Sequence, residues 1–270
     1  MKLAIRSFAL LAATSFGTST LQAQIIETYA PAADEQGILW RLIVGTEVTT
    51  GRYGSTSRTS VVESTVGIQG DTGNDLFWLT GGMIRITADR DVLVSEGSVV
   101  VGDAIGTERF TTEGRSDTYV GWLHRTMPAT SSWQFDYTAR AKLATADVDR
   151  GLGSGRHDYT LQLNVGRHFP TWTVRGEGGY RFFGDPPWAD LKNGPLVALG
   201  VLGRLTDRLS MDAFMDYRSA VVSDANAQIE LSVSIRWKIQ DGWRIQTHVL
   251  RGFTDSSPDF GGGIALLADL

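Results

Sequence analysis

The chain has 270 residues, a formal net charge of −5 and no cysteine. Without thiols, disulfides, thiolate metal centres and cysteine redox chemistry are excluded. The acidic balance argues against a nucleic-acid partner, which would need a surplus of cations to neutralise phosphates.

The first segment, MKLAIRSFALLAATSFGTSTLQAQ, carries two cations (Lys2, Arg6), an apolar stretch from Phe8 to Ala13 and then small polar residues. Leu21-Gln22-Ala23 supplies a cleavage site, completing the three-part form of a secretory signal peptide. The rival reading is an amphipathic N-terminal helix of a cytosolic protein. We expect a signal peptide over 1–23, a periplasmic N-terminal segment over 24–37 and one domain over 38–270. Cleavage removes Lys2 and Arg6 and no acid, leaving 23 cations against 30 acids and a mature charge of −7. No later stretch reaches the roughly 18 apolar residues of a transmembrane helix. Barrel strands need only about 10 residues each and alternate apolar with polar. The mean hydropathy of −0.09 fits such a chain as well as a soluble one.

Period-two alternation predicts about twelve strands, in chain order near 38–50, 60–69, 75–88, 116–124, 132–143, 157–168, 171–183, 195–205, 208–219, 227–238, 242–252 and 260–270. Within 132–143, Trp133, Phe135, Tyr137, Ala139 and Ala141 oppose Gln134, Asp136, Thr138, Arg140 and Lys142. Within 157–168, Tyr159, Leu161, Leu163 and Val165 oppose Asp158, Thr160, Gln162 and Asn164. Within 208–219, Met211, Ala213, Met215 and Tyr217 oppose Ser210, Asp212, Phe214, Asp216 and Arg218. Within 227–238, Ile229, Leu231, Val233, Ile235 and Trp237 oppose Glu230, Ser232, Ser234 and Arg236. The last strand shows Phe260, Ile264, Leu266 and Leu270 on one parity, with Gly261 and Gly263 on the other.

Short connections, such as Asp71-Thr72-Gly73-Asn74, Thr206-Asp207 and Gln240-Asp241-Gly242, alternate with long ones, such as GRYGSTSRTS, 90–114, TADVDRGLGSGR, GDPPWADLKNG, AVVSDAN and TDSSPD. That order predicts an all-β, antiparallel, up-and-down transmembrane barrel with short periplasmic turns and longer extracellular loops. The last strand would close it against the strand near Leu39 to Val48. A soluble β-sandwich or lipocalin-like barrel is the rival, and it would turn the apolar parity inwards. Three features favour lipid outside. The apolar face persists for five or six positions, the polar face carries close charges of both signs, and aromatics (Trp40, Trp133, Trp172, Tyr217, Trp237, Trp243) sit near strand ends.

Four segments, TTGRYG (49–54), RAKLATADVDRGLGSGRHDYTLQL (140–163), GYRFFGDPP (179–187) and VLRGFTDSSPDFGGGIAL (249–266), resemble in order and spacing the outer-membrane family labelled for a MetA pathway of phenol degradation. The resemblance implies an outer-membrane channel for small, often aromatic, compounds. The chain departs from the family pattern at Leu143-Ala144-Thr145, at Gly81-Gly82 and at Leu270, where a terminal aromatic is expected.

Gly151-Leu152-Gly153-Ser154-Gly155 resembles a phosphate-cradling loop, but a strand rather than a helix follows it, so a hairpin loop is the better reading. Asp147, Asp149 and Asp158 flank that loop without an EF-hand spacing and read as solvated acids rather than calcium ligands. The histidines 124, 157, 168 and 248 form no zinc pattern. No metal, cofactor or catalytic residue is expected, and the chain does not read as an enzyme. An outer-membrane ester or lipid hydrolase built around His248 is carried as an alternative. The polar parity instead assigns to the lumen Arg41, Glu47, Glu63, Arg85, Asp136, Arg140, Lys142, Arg175, Glu177, Arg181, Asp212, Asp216, Arg218, Glu230, Arg236, Arg244 and His248. These would line a solute path or form a salt-bridge network. The expected function is passive uptake or efflux of small solutes, aromatic or otherwise hydrophobic. Its alternative is a structural barrel closed by salt bridges. Expected partners are outer-membrane lipid, the barrel assembly machinery and a small solute, with no nucleic acid, and the chain is expected to act as a monomer.

Overall fold

A computed structural model describes residues 37–89, 92–95, 98–101, 109–126, 132–187 and 189–270. The expected signal peptide and most of the segment 24–37 lie outside these residues. The strands are β1 (Leu39–Gly51), β2 (Thr59–Asp71), β3 (Asp75–Ala88), β4 (Val92–Ser95), β5 (Ser98–Val101), β6 (Phe110–Arg115), β7 (Thr118–Thr126), β8 (Trp133–Leu143), β9 (Asp158–His168), β10 (Trp172–Phe182), β11 (Gly194–Arg204), β12 (Leu209–Arg218), β13 (Gln228–Gln240), β14 (Trp243–Gly252) and β15 (Phe260–Asp269).

Each strand of the main sheet pairs antiparallel with its chain neighbours, and β15 returns to β1. The closing seam runs from Arg41 opposite Asp269 to Thr50 opposite Phe260, and the Leu270 amide donates to the Trp40 carbonyl at 2.9 Å. β6 and β7 are two parts of one strand against β3, so the ring has twelve strands. The register sum changes by one between Met83–Arg115 and Thr80–Tyr119. Ser116 and Asp117 are therefore two successive buried residues on one strand, a β-bulge opposite Gly81-Gly82. Closure leaves no open edge, which matters in lipid because an unpaired backbone group there costs several kcal/mol.

The described short connections and both ends of the ring lie at one rim, and the described parts of the long loops lie at the other. Tight turns are made by Gly73 (φ +90°), whose amide donates to Asp71 Oδ1 at 2.8 Å, and by Gly242 (φ +78°). Both glycines adopt a backbone that costs a side-chain-bearing residue.

The apolar parity faces outwards. Val197, Leu199 and Val201 of β11 are 51%, 62% and 46% exposed, while Leu196 and Ala198 on the other parity are buried. All six end aromatics named from the sequence are exposed on this outer face. On β10, Trp172 stands at the turn rim and Phe182 at the loop rim. Ten residue steps of about 3.3 Å, tilted roughly 40°, span about 25 Å, the height of an outer-membrane apolar band. The soluble arrangement, apolar inside and polar outside, is inverted here.

Candidate functional site

The barrel interior gathers the charges. Of the residues assigned to it from sequence, Arg41, Glu47, Glu63, Asp136, Arg140, Lys142, Arg175, Glu177, Arg181, Asp212, Asp216, Arg218, Glu230 and His248 are buried and face inwards. Arg236 and Arg244 are half-buried on the same face. Arg85 is a correction: its side chain is 60% exposed and pairs with Glu113 on the outer surface at 2.6 Å. The inward parity of β3 there is Ile84, Ile86 and Ala88, which pack with Val61 and Leu152. Polarity misassigned the two faces because this half of β3 lies beneath a folded-in loop.

Ion pairs lie in five places inside the ring. On β8–β10, Arg175 Nε meets Glu177 Oε1 at 2.7 Å and its Nη2 lies 3.5 Å from Asp136 Oδ2. Gln134 Nε2 donates to both Asp136 oxygens (2.8 and 2.9 Å), and its Oε1 lies 2.9 Å from His168 Nε2. Towards the loop rim, Lys142 Nζ meets Asp158 Oδ2 at 2.7 Å, Asp117 Oδ2 at 3.2 Å and Ser154 Oγ at 2.8 Å. Arg218 pairs there with Glu230 across β12 and β13. At the turn rim, Arg125 Nη1 donates to Asp71 Oδ1 and to the Gly73 carbonyl, both at 2.9 Å. At the closing seam, Asp269 accepts from Arg41 Nε (2.7 Å) and Arg244 Nη1 (3.0 Å). Opposite charges at these distances offset the loss of water around each group.

The lumen list read from sequence lacks Asp71, Asp117, Arg125 and Asp158, although parity did put Asp158 on the polar face of its strand. Asp71 reads as a turn residue, and Asp117 faces inwards only because of the bulge. Asp158 opens a strand, and its Oδ1 accepts from the Gly184 amide at 3.0 Å. The acids weighed as calcium ligands do not converge. Asp158 belongs to Lys142, and Asp147 pairs with Arg150 at 3.2 Å. Among the described residues no group of acids and histidines is placed to hold a metal.

His248 lies inside, 3.6 Å from Glu47 Oε2, with no hydrogen bond to either ring nitrogen. Ser234, its cross-strand partner, donates to Asp212 at 2.5 Å instead. The hydrolase reading needs a serine hydroxyl bonded to this imidazole, and the geometry does not supply one. On the inner face of β15, a Cβ on Gly263 would lie 2.7 Å from His248 Cε1, so this glycine makes room for the imidazole.

The interior also has apolar patches. Leu196, Ala198, Leu202 and Phe214 form one, Leu76, Trp78 and Leu123 a second, and Ile43, Ala265 and Leu267 a third. Phe214 covers Gly200 and Trp78 covers Gly121, where any side chain would collide with the ring.

Part of the long 90–114 loop forms the hairpin β4–β5, which reaches across the loop rim. Val92, Val94 and Val99 pack on the β2–β3 side, and Val100 packs with Phe183, Leu191 and Val221 on the far side. Ser98 Oγ donates to Gln228 Oε1 at 2.7 Å and receives Arg181 Nη1 at 3.3 Å. Between the hairpin and the loops lies a cavity of about 580 Å³. Tyr53 lines it, with its phenol pushed above the ordinary value by burial.

No protein-family model and no curated protein matches the chain. Among solved structures, the COG4313 outer membrane channel from Pseudomonas putida F1 superposes with a TM-score of 0.64 at 13% identity, covering 90% of this chain and all of that one. The translocator domain of autotransporter NalP from Neisseria meningitidis gives 0.52 at 18% identity, covering 96% of this chain and 100% of its own. The KdgM porin gives 0.53 at 10%, covering 85% of this chain and 99% of that one. At these identities the likeness is one of fold, that of bacterial outer-membrane barrels.

Proposed function

We propose that the chain is an outer-membrane channel that passes small solutes passively, with its turns in the periplasm and its loops outside. The observation that carries this reading is a closed barrel with an apolar, aromatic-rimmed outer face and an interior lined by buried charges of both signs. Lipid would hold the outer face, the assembly machinery would insert the chain, and it would act as a monomer. The three apolar patches inside support aromatic and other hydrophobic compounds as the solute class. They offer contact to an apolar body while the charged groups hold water.

The test is swelling of liposomes containing the purified protein, beside single-channel recording. Conductance together with uptake of small neutral solutes supports the channel. The interior ion pairs favour a second reading, a structural barrel that passes nothing. It predicts no conductance, and substitution of Arg140 or Arg236 by glutamine would not create any.

A further inference from the structure

The cavity between the β4–β5 hairpin and the loops has a composition unlike the interior. Its volume of about 580 Å³ lies within the range of small-molecule sites, about 300–1,000 Å³. Val99 and Val100 of the hairpin and Val222 of the β12–β13 loop give it apolar walls. The buried amide of Gln228 and hydroxyl of Ser98 fix its inner end, tied to each other and, through Gln228 Nε2, to the Ser256 carbonyl at 3.0 Å. Three carboxylates also line it, each from a different loop: Asp190 between β10 and β11, Asp224 between β12 and β13, and Asp255 between β14 and β15. No lysine or arginine lines it among the described residues. Arg181 reaches the lining from β10, donating to Ser98 Oγ.

A concave site lined by one sign of charge raises the local concentration of the opposite sign. We propose that this cavity is the channel's entry site, that it takes small organic solutes with an apolar body and one positive charge, accepts neutral ones more weakly and turns away organic anions. The inference rests on the channel reading for its purpose, but binding at the cavity does not require a membrane.

The experiment uses the full-length protein in detergent at low salt and three probes with one ring: cyclohexylammonium, cyclohexanol and cyclohexanecarboxylate. Titration followed by calorimetry or ligand NMR should rank them in that order, with the ammonium at least tenfold tighter than the carboxylate. The triple variant Asp190→Asn, Asp224→Asn, Asp255→Asn should weaken the ammonium at least fivefold and leave cyclohexanol within twofold. Val222→Trp, which fills the cavity, should weaken all three probes. Heat-modifiable mobility would confirm that each variant is folded. Equal affinity for ammonium and carboxylate, no binding of any probe, or binding indifferent to both variants would overturn the proposal. That failure would leave the channel reading standing. Ammonium binding by a protein that passes nothing in liposomes would overturn the channel instead.

Discussion

At the scale of single residues, the interior is held by charges that cannot be removed one at a time without cost. Arg175 is fully buried between Asp136 and Glu177. Arg175→Ala leaves two buried carboxylates without their cation, and breaking such a pair costs about 3–5 kcal/mol. Urea unfolding in lipid vesicles should show a loss of that size. Arg85→Ala should change stability by less than about 0.5 kcal/mol, because its pair with Glu113 is open to solvent. A second pair of substitutions tests the ring-over-glycine contact. Gly200→Val should destabilise the barrel by about 1–3 kcal/mol through collision with Phe214, and adding Phe214→Ala should recover much of the loss. Most of this was readable from parity: Asp136, Arg175 and Glu177 fall on the polar face of a cleanly alternating strand. Asp117 was not, because a bulge shifts parity without any change in composition.

Among the elements, all twelve ring strands were legible, since lipid outside and water-compatible groups inside impose strict alternation. The exception is the upper half of β3, where Ile84 and Ile86 face inwards because β4 and β5 pack over them. Nothing in the local pattern of 90–114 signals that contact, which is made with residues distant in sequence. Ser98 pins the hairpin to β13 and β10. Ser98→Ala should loosen it, read as several-fold faster cleavage within 92–101 by protease added to the loop side of intact vesicles. The last strand ends in a docked register, with Leu270 facing outwards and its amide bonded to Trp40. Leu270→Phe keeps that register and adds an interfacial ring, so assembly yield should be unchanged or higher. Blocked insertion would contradict this account of the terminus.

For the whole molecule, the decisive matter is which face of the sheet meets lipid. Alternation alone is symmetric between a membrane barrel and a soluble one, and the closed ring gains its meaning from the outward apolar belt. The chain's lack of cysteine allows a direct test. Single cysteines placed in turn at 196–199, 201 and 202 on β11, each carrying a small fluorophore, can be exposed to a lipid-borne quencher in reconstituted vesicles. The account predicts strong quenching at Val197, Leu199 and Val201 and weak quenching at Leu196, Ala198 and Leu202. Uniform quenching, or the opposite alternation, would contradict it.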